Sequence, residues 1–149
     1  MSVTQHAFSE RMLMRTFLAA MAATLLTVGC GASTSPVNPS EFYAPKLYAD
    51  QTSLTISIPV VIAERDGKKS FVKLFELHGF SGNGPSMEQI VRRNLGDNIG
   101  MFDSEGDAFV VRLANAAEFG AVLGKLKCVE EVTCLAGWLK NSESILFKE

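Results

Sequence analysis

The longest alternation of apolar and polar positions runs from Leu54 to Ile62, where Leu54, Ile56, Ile58, Val60 and Ile62 are separated by Thr55, Ser57, Pro59 and Val61. That period of two predicts a strand with one buried face. Asp66-Gly67 follows, the pair favoured where both central residues of a two-residue hairpin turn need positive φ. A hairpin centred there sets Ile62 opposite Phe71, Ile58 opposite Phe75, Ile56 opposite Leu77 and Glu64 opposite Lys69. The returning strand is thus expected over Phe71 to His78. Pro59 has no N–H to give a ladder, so the first strand is expected at an edge or bulged there.

The pattern then changes to a period of 3.6. Ser86 is expected as a helix N-cap, with Gln89 completing a capping box and Gly96 ending the helix. Met87, Ile90, Val91 and Asn94 mark its inward face, and Arg92 and Arg93 suit its C-terminal end. Alternation returns from Asn98 to Leu113 as a second hairpin turning through Asp103-Ser104-Glu105-Gly106, with Gly106 suited to a left-handed position. Ile99 and Met101 are expected to share a face with Phe109, Val111 and Leu113. Asn115 and Glu118 repeat the capping pair, and Phe119, Val122, Leu123 and Leu126 form one helical stripe. Gly120 and Gly124 are placed for close approach to the sheet, and the helix is expected to stop near Cys128. CLAGWLK and SILFKE read as short strands.

These elements predict an α+β domain over residues 51–149: a mainly antiparallel sheet with two helices on one face, in the order ββαββαβ. A modified ferredoxin-like sheet is the alternative. It is disfavoured because its first strand is central, leaving no room for the Asp66-Gly67 hairpin.

Ahead of this domain, Arg11 and Arg15 precede an apolar run ending in Leu26-Thr27-Val28-Gly29-Cys30. The run is about 14 residues, short of the roughly 20 that cross a bilayer, so a cleaved leader over 1–29 is expected. Met12 or Met14 is an alternative start, because the first eleven residues are long and acidic for a leader.

The Val28-Gly29-Cys30 ending resembles the lipobox of bacterial lipoproteins. The resemblance covers residues 11–30 only. It implies that Cys30 is lipidated and becomes the mature N-terminus, anchoring the chain without spanning the membrane. Gly31, where an acidic residue would favour inner-membrane retention, implies the periplasmic face of the outer membrane. Residues 31–40, GASTSPVNPS, then read as a flexible tether, and Phe42, Tyr43, Leu47 and Tyr48 as an aromatic arm. The arm either packs on the domain or docks on a partner; with Pro59 at an edge, Phe42, Tyr43 and Tyr48 are the candidate partner-binding residues.

Composition adds three constraints. Without the leader the chain is about 120 residues, one domain. Setting aside Arg11, Arg15 and Glu10 leaves 12 basic against 15 acidic side chains, which argues against nucleic acid as a partner. Once Cys30 takes the lipid, Cys128 and Cys134 remain as an even pair in an oxidising compartment. They are expected as a disulfide worth about 2 kcal/mol by the chain-entropy model, with free thiols the alternative.

Chemistry is sparse. The Gly79–Gly84 loop lacks the lysine and serine of a phosphate loop and reads as a connection. Asp103, Glu105 and Asp107 depart from the calcium-loop order and read as a solvated tip. His78 has no second ligand for zinc and no local signature linking it to Ser81 or Ser86, so neither a metal, a cofactor nor a catalytic set is assigned. The expectation is a non-enzymatic, lipid-anchored periplasmic domain that binds a protein as a subunit or accessory of an envelope assembly. The alternative is an inhibitor or immunity-type lipoprotein acting on a toxin or hydrolase, with the glycine loop or the acidic tip as its recognition element.

Overall fold

The computed structural model describes residues 37–145; the expected leader, Cys30, most of the expected tether and residues 146–149 lie outside them. The architecture is α+β, with one four-stranded antiparallel sheet and four helices. A short 3-10 turn, Pro39–Glu41, leads into strand β1, Tyr48–Asp50, and β2, Thr55–Pro59. Helices α1, Phe71–Leu77, and α2, Gly84–Leu95, follow. Strands β3, Met101–Phe102, and β4, Ala108–Arg112, precede α3, Ala116–Leu126, and α4, Val132–Ser142. The order ββααββαα replaces the expected ββαββαβ, and it is not the ferredoxin-like order either.

The first correction concerns the Asp66-Gly67 hairpin. The turn forms, with φ of 52° and 72° at the two residues and Arg65 and Lys68 bridged across it. The chain does not return as a strand. Phe71, Val72, Leu74 and Phe75 are buried at helical spacing, and the Ser70 hydroxyl caps the helix by accepting from Val72 N at 3.1 Å. A helix buries these four on one stripe, whereas a strand would divide them between two faces. Phe71 and Phe75 then meet edge to face at 6.1 Å, as do Phe75 and Phe80 at 6.4 Å. Ile62, expected in the core, is 71% exposed.

The partner of β2 is therefore distant in sequence. The sheet order is β1-β2-β4-β3, with Ile56 opposite Val111, Ile58 opposite Phe109 and Pro59 opposite Ala108. Ile56, Ile58, Phe109 and Val111 are almost wholly buried. Pairing two strands whose alternation is cleanest gives a continuous apolar inner face. Because Val60 N donates to Asp107 O at 2.7 Å, the Pro59 nitrogen faces the β1 side, beyond the last paired residue of β1. The prolyl nitrogen thus falls where no ladder bond is required, although β2 itself is an interior strand.

The second hairpin forms, but its tip is Gly106-Asp107, closed by mutual backbone bonds of Glu105 and Ala108. Gly106 does not take positive φ. This register sets Phe102 opposite Val111 and Met101 opposite Arg112, so Met101 leaves the face it was expected to share with Phe109. Phe102 instead meets Phe109 at 6.0 Å.

Helix α2 starts earlier than expected. Asn83 is its cap, accepting from Ser86 N at 2.9 Å, and Gly96 ends it at φ 100°. Ser86 is buried and bonded to Ser81 at 2.6 Å. The inward face of Met87, Ile90 and Val91 is as expected. Asn115 and Glu118 cap α3 in both directions, Glu118 N donating to Asn115 Oδ1 at 2.9 Å and Ala114 N to the Glu118 carboxylate at 3.4 Å. Phe119, Val122 and Leu126 are buried, while Gly120 and Gly124 face solvent with nothing near them. The segment expected as the strand CLAGWLK is α4, burying Leu135 and Leu139 one turn apart. All four helical stripes and the inner sheet face share one apolar cluster.

Candidate functional site

Since neighbouring residues on a strand face opposite ways, the inner-face assignment also defines the outer face. It carries Tyr48 and Asp50 from β1, Thr55, Ser57 and Pro59 from β2, Ala108, Val110 and Arg112 from β4, and Met101 from β3. None of these is buried; Tyr48 is 50% and Met101 68% exposed. The described helices leave this face uncovered.

Both edges of the sheet are blunted. On β1, Tyr48 and Asp50 bond toward β2, which turns the Leu47 amide outward. Leu47 N donates to Glu130 Oε1 at 3.0 Å. Glu130 sits in the loop between Cys128 and Cys134, which are bridged with their Cα atoms 5.3 Å apart. The disulfide thus holds the loop whose carboxylate occupies the edge. At the other edge, the Arg92 guanidinium lies 3.9 Å from the Phe102 ring centroid, held by Glu88 at 2.9 Å and by Asp97 O at 3.3 Å. Strand addition at either edge would displace these side chains, so the open face is the more accessible surface.

The outer face has a hollow at one end and a groove at the other. Asp50 accepts from Ser53 Oγ at 2.8 Å and from Thr52 N at 2.9 Å. The Ser53 hydroxyl, then the Thr52 amide, hold its carboxyl below the usual range. An open hollow of about 450 Å³ runs over Tyr48, Asp50, Thr55 and Ser57, with Lys46 Nζ 5.2 Å from the Tyr48 ring centre. At the opposite end, Met101 and Arg112 border an open groove of about 680 Å³ that continues past Ile99 and Leu113 to Glu118, Ala121 and Val122 of α3, and is also lined by Asp97 and Asn98. Gly100 forms its floor, since a Cβ there would lie 2.8 Å from Arg112 O. Thus the face offers two aromatic or thioether anchors, Tyr48 and Met101, with hydroxyls and one guanidinium between them. Tyr, Met and Arg are residue types enriched in protein interfaces, whereas Ser and Thr are not.

The residues singled out from sequence are distributed differently. Phe42 is 3% exposed and belongs to the core, so it is unavailable to a partner. Tyr43 is half-buried, its hydroxyl bonded to Val61 O at 3.0 Å and to Ala63 O at 2.5 Å. Tyr48 and Pro59 do share one face. Cys30 lies outside the described residues. The glycine loop is a packing device: a Cβ on Gly84 would sit 2.0 Å from Glu105 O and Ala108 O. The start of α2 is therefore pressed onto the β3–β4 tip. Asp103, Glu105 and Asp107 are exposed at that tip. His78 Nδ1 is 2.7 Å from Glu143 Oε1, and its buried Nε2 has no hydrogen-bond partner among the described residues. Ser81 and Ser86 bond to each other. No group of three metal-ligating side chains occurs among the described residues.

Arg112, Val110 and Met101 were missed. Their signal was present, as the complement of Phe109, Val111 and Leu113 in the same alternation. The register of Met101 depended on where the tip fell. Comparison with known proteins adds no relative: no protein family, curated protein or solved structure matches this chain. Within the described residues no helix is long and apolar enough to cross a membrane.

Proposed function

We propose that this chain is a lipid-anchored periplasmic domain that binds another protein through the outer face of its sheet, as a subunit or accessory of an envelope assembly. The observation that carries the binding reading is that face, open across four strands between Tyr48 and Met101. The lipoprotein-like ending at Cys30 supports the anchor, and the bridged Cys128–Cys134 pair suits an oxidising compartment.

The test is photo-cross-linking in the native cell, with a photoreactive side chain placed in turn at Tyr48, Val110 and Gly124. Tyr48 and Val110 sample the open face, and Gly124 samples the solvent side of α3. The expected result is one and the same protein adduct from Tyr48 and Val110 and none from Gly124. Adducts that ignore position, or none at all, overturn the reading. The exposed carboxylates of the β3–β4 tip favour a second reading, an inhibitor of a secreted toxin or hydrolase with a basic cleft. A fourth photoreactive position at Glu105, forming an adduct when the other three do not, would select it.

A further inference from the structure

We propose that the turn from Ile62 to Lys69 rests on the bilayer to which Cys30 is anchored, with Ile62 entering the headgroup layer and Arg65 and Lys68 meeting lipid phosphates. The proposal relies on the lipid anchor of the preceding reading.

Three observations place the turn there. First, every residue from Ile62 to Lys69 is exposed, and Ile62 is 71% so, although the rest of its alternating run is largely drawn into the sheet. Second, the chain enters the domain beside this turn. Phe42 bridges in parallel to Lys69, Tyr43 N donates to Lys69 O at 3.0 Å, and the Tyr43 hydroxyl bonds Val61 O and Ala63 O on either side of Ile62. Twelve residue steps separate Cys30 from Phe42, and a chain spans at most about 3.6 Å per residue, so the entry point beside the turn is held within roughly 43 Å of the acylated sulfur. A weak surface contact gains from such a tether, because it is intramolecular.

Third, the charges suit phosphate. Arg65 is exposed, with its guanidinium 5.5 Å from the Tyr43 ring centre, and Lys68 is exposed beside it. Lys69 is bonded to Glu41 at 2.9 Å, and Glu64 and Asp66 offset part of the positive charge. The attraction is therefore modest. The apolar side chain and the tether carry most of the contact, and Arg65 and Lys68, which have no ion pair among the described residues, set its preference for phosphate.

The experiment uses the full acylated chain. Cys30 is acylated and Cys128 bonded to Cys134, so Ile62→Cys supplies a single thiol for an environment-sensitive fluorophore. Met101→Cys, on the edge strand β3, is the control. Each is reconstituted into vesicles of phosphatidylethanolamine and phosphatidylglycerol and separated by flotation. The expected result is a blue shift and about a twofold or greater rise in emission at position 62 and none at 101. Adding Arg65→Glu and Lys68→Glu should reverse most of it. Floating protein with the same aqueous emission at 62 and 101 overturns this proposal and leaves the anchor standing. Failure to float, with an unmodified Cys30 by mass, overturns both. A shift at 62 that survives charge reversal overturns the role given to the two cations.

Discussion

Two turns in this molecule invert the usual relation between local signal and tertiary outcome. Asp66-Gly67 has both residues at positive φ, yet no sheet is built on it. Gly106-Asp107 has neither, yet it closes the hairpin that supplies half the sheet. The first turn is followed by Phe71, Val72, Leu74 and Phe75, which only a helix can bury together. The second is followed by Phe109 and Val111, which a strand buries on one side. A turn sequence fixes a reversal of the chain, and the apolar period that follows decides what is made of it.

The sharpest way to break this contrast is Gly84→Ala. A Cβ would lie 2.0 Å from two carbonyl oxygens of the β3–β4 tip, and neither can retreat without opening the hairpin. Loss of about 3 kcal/mol or more in denaturant unfolding is expected, at the upper end of overpacking costs. Unchanged stability would mean that the second hairpin is not held from below. Next is Ser70→Ala, which removes the cap that makes a helix of the chain after the first turn. The hydroxyl is buried and also bonds Val61 O, so about 1.5 kcal/mol is expected.

The pair Gly67→Ala and Gly106→Ala compares the turns directly. Gly67 has open space but φ of 72°, so alanine should cost about 1 kcal/mol. Gly106 has open space and no positive φ, and its alanine variant should stay within about 0.5 kcal/mol of the parent. Equal costs at the two sites would erase the distinction. The smallest effect concerns the β1–β2 turn, where the folded state holds Asp50 below its ordinary carboxyl value. Its contribution is present above the unfolded value and is lost as pH falls through the folded one. Ser53→Ala should move the Asp50 titration upward, read by carboxyl-resolved NMR, and remove that acid-side contribution.

The contrast also explains what was legible beforehand. The inward stripe of α2, the reciprocal cap of Asn115 and Glu118, and the buried side of β4 could be read because each is specified within one or two turns of chain. Helix α1 was legible too, since Phe71, Val72, Leu74 and Phe75 repeat at 3.6, but the strong turn before them favoured the wrong period. Helix α4 was obscured by its short apolar segments next to a disulfide. Of the candidate surface, Tyr48 and Pro59 were readable, whereas Phe42 went into the core and Met101 changed faces with a shift of the tip.

Taken alone, the order of residues determined the α+β class, the apolar stripes of α2 and α3, both turn positions to within a few residues and the lipoprotein-like ending at Cys30. Only the folded arrangement decided that β2 pairs with β4, about fifty residues away, and that four helices rather than two share the apolar cluster with the inner sheet face. Strand partners are chosen by complementary burial between segments, and no local pattern records which distant segment will complete a given face. The open surface between Tyr48 and Met101 exists because of that choice.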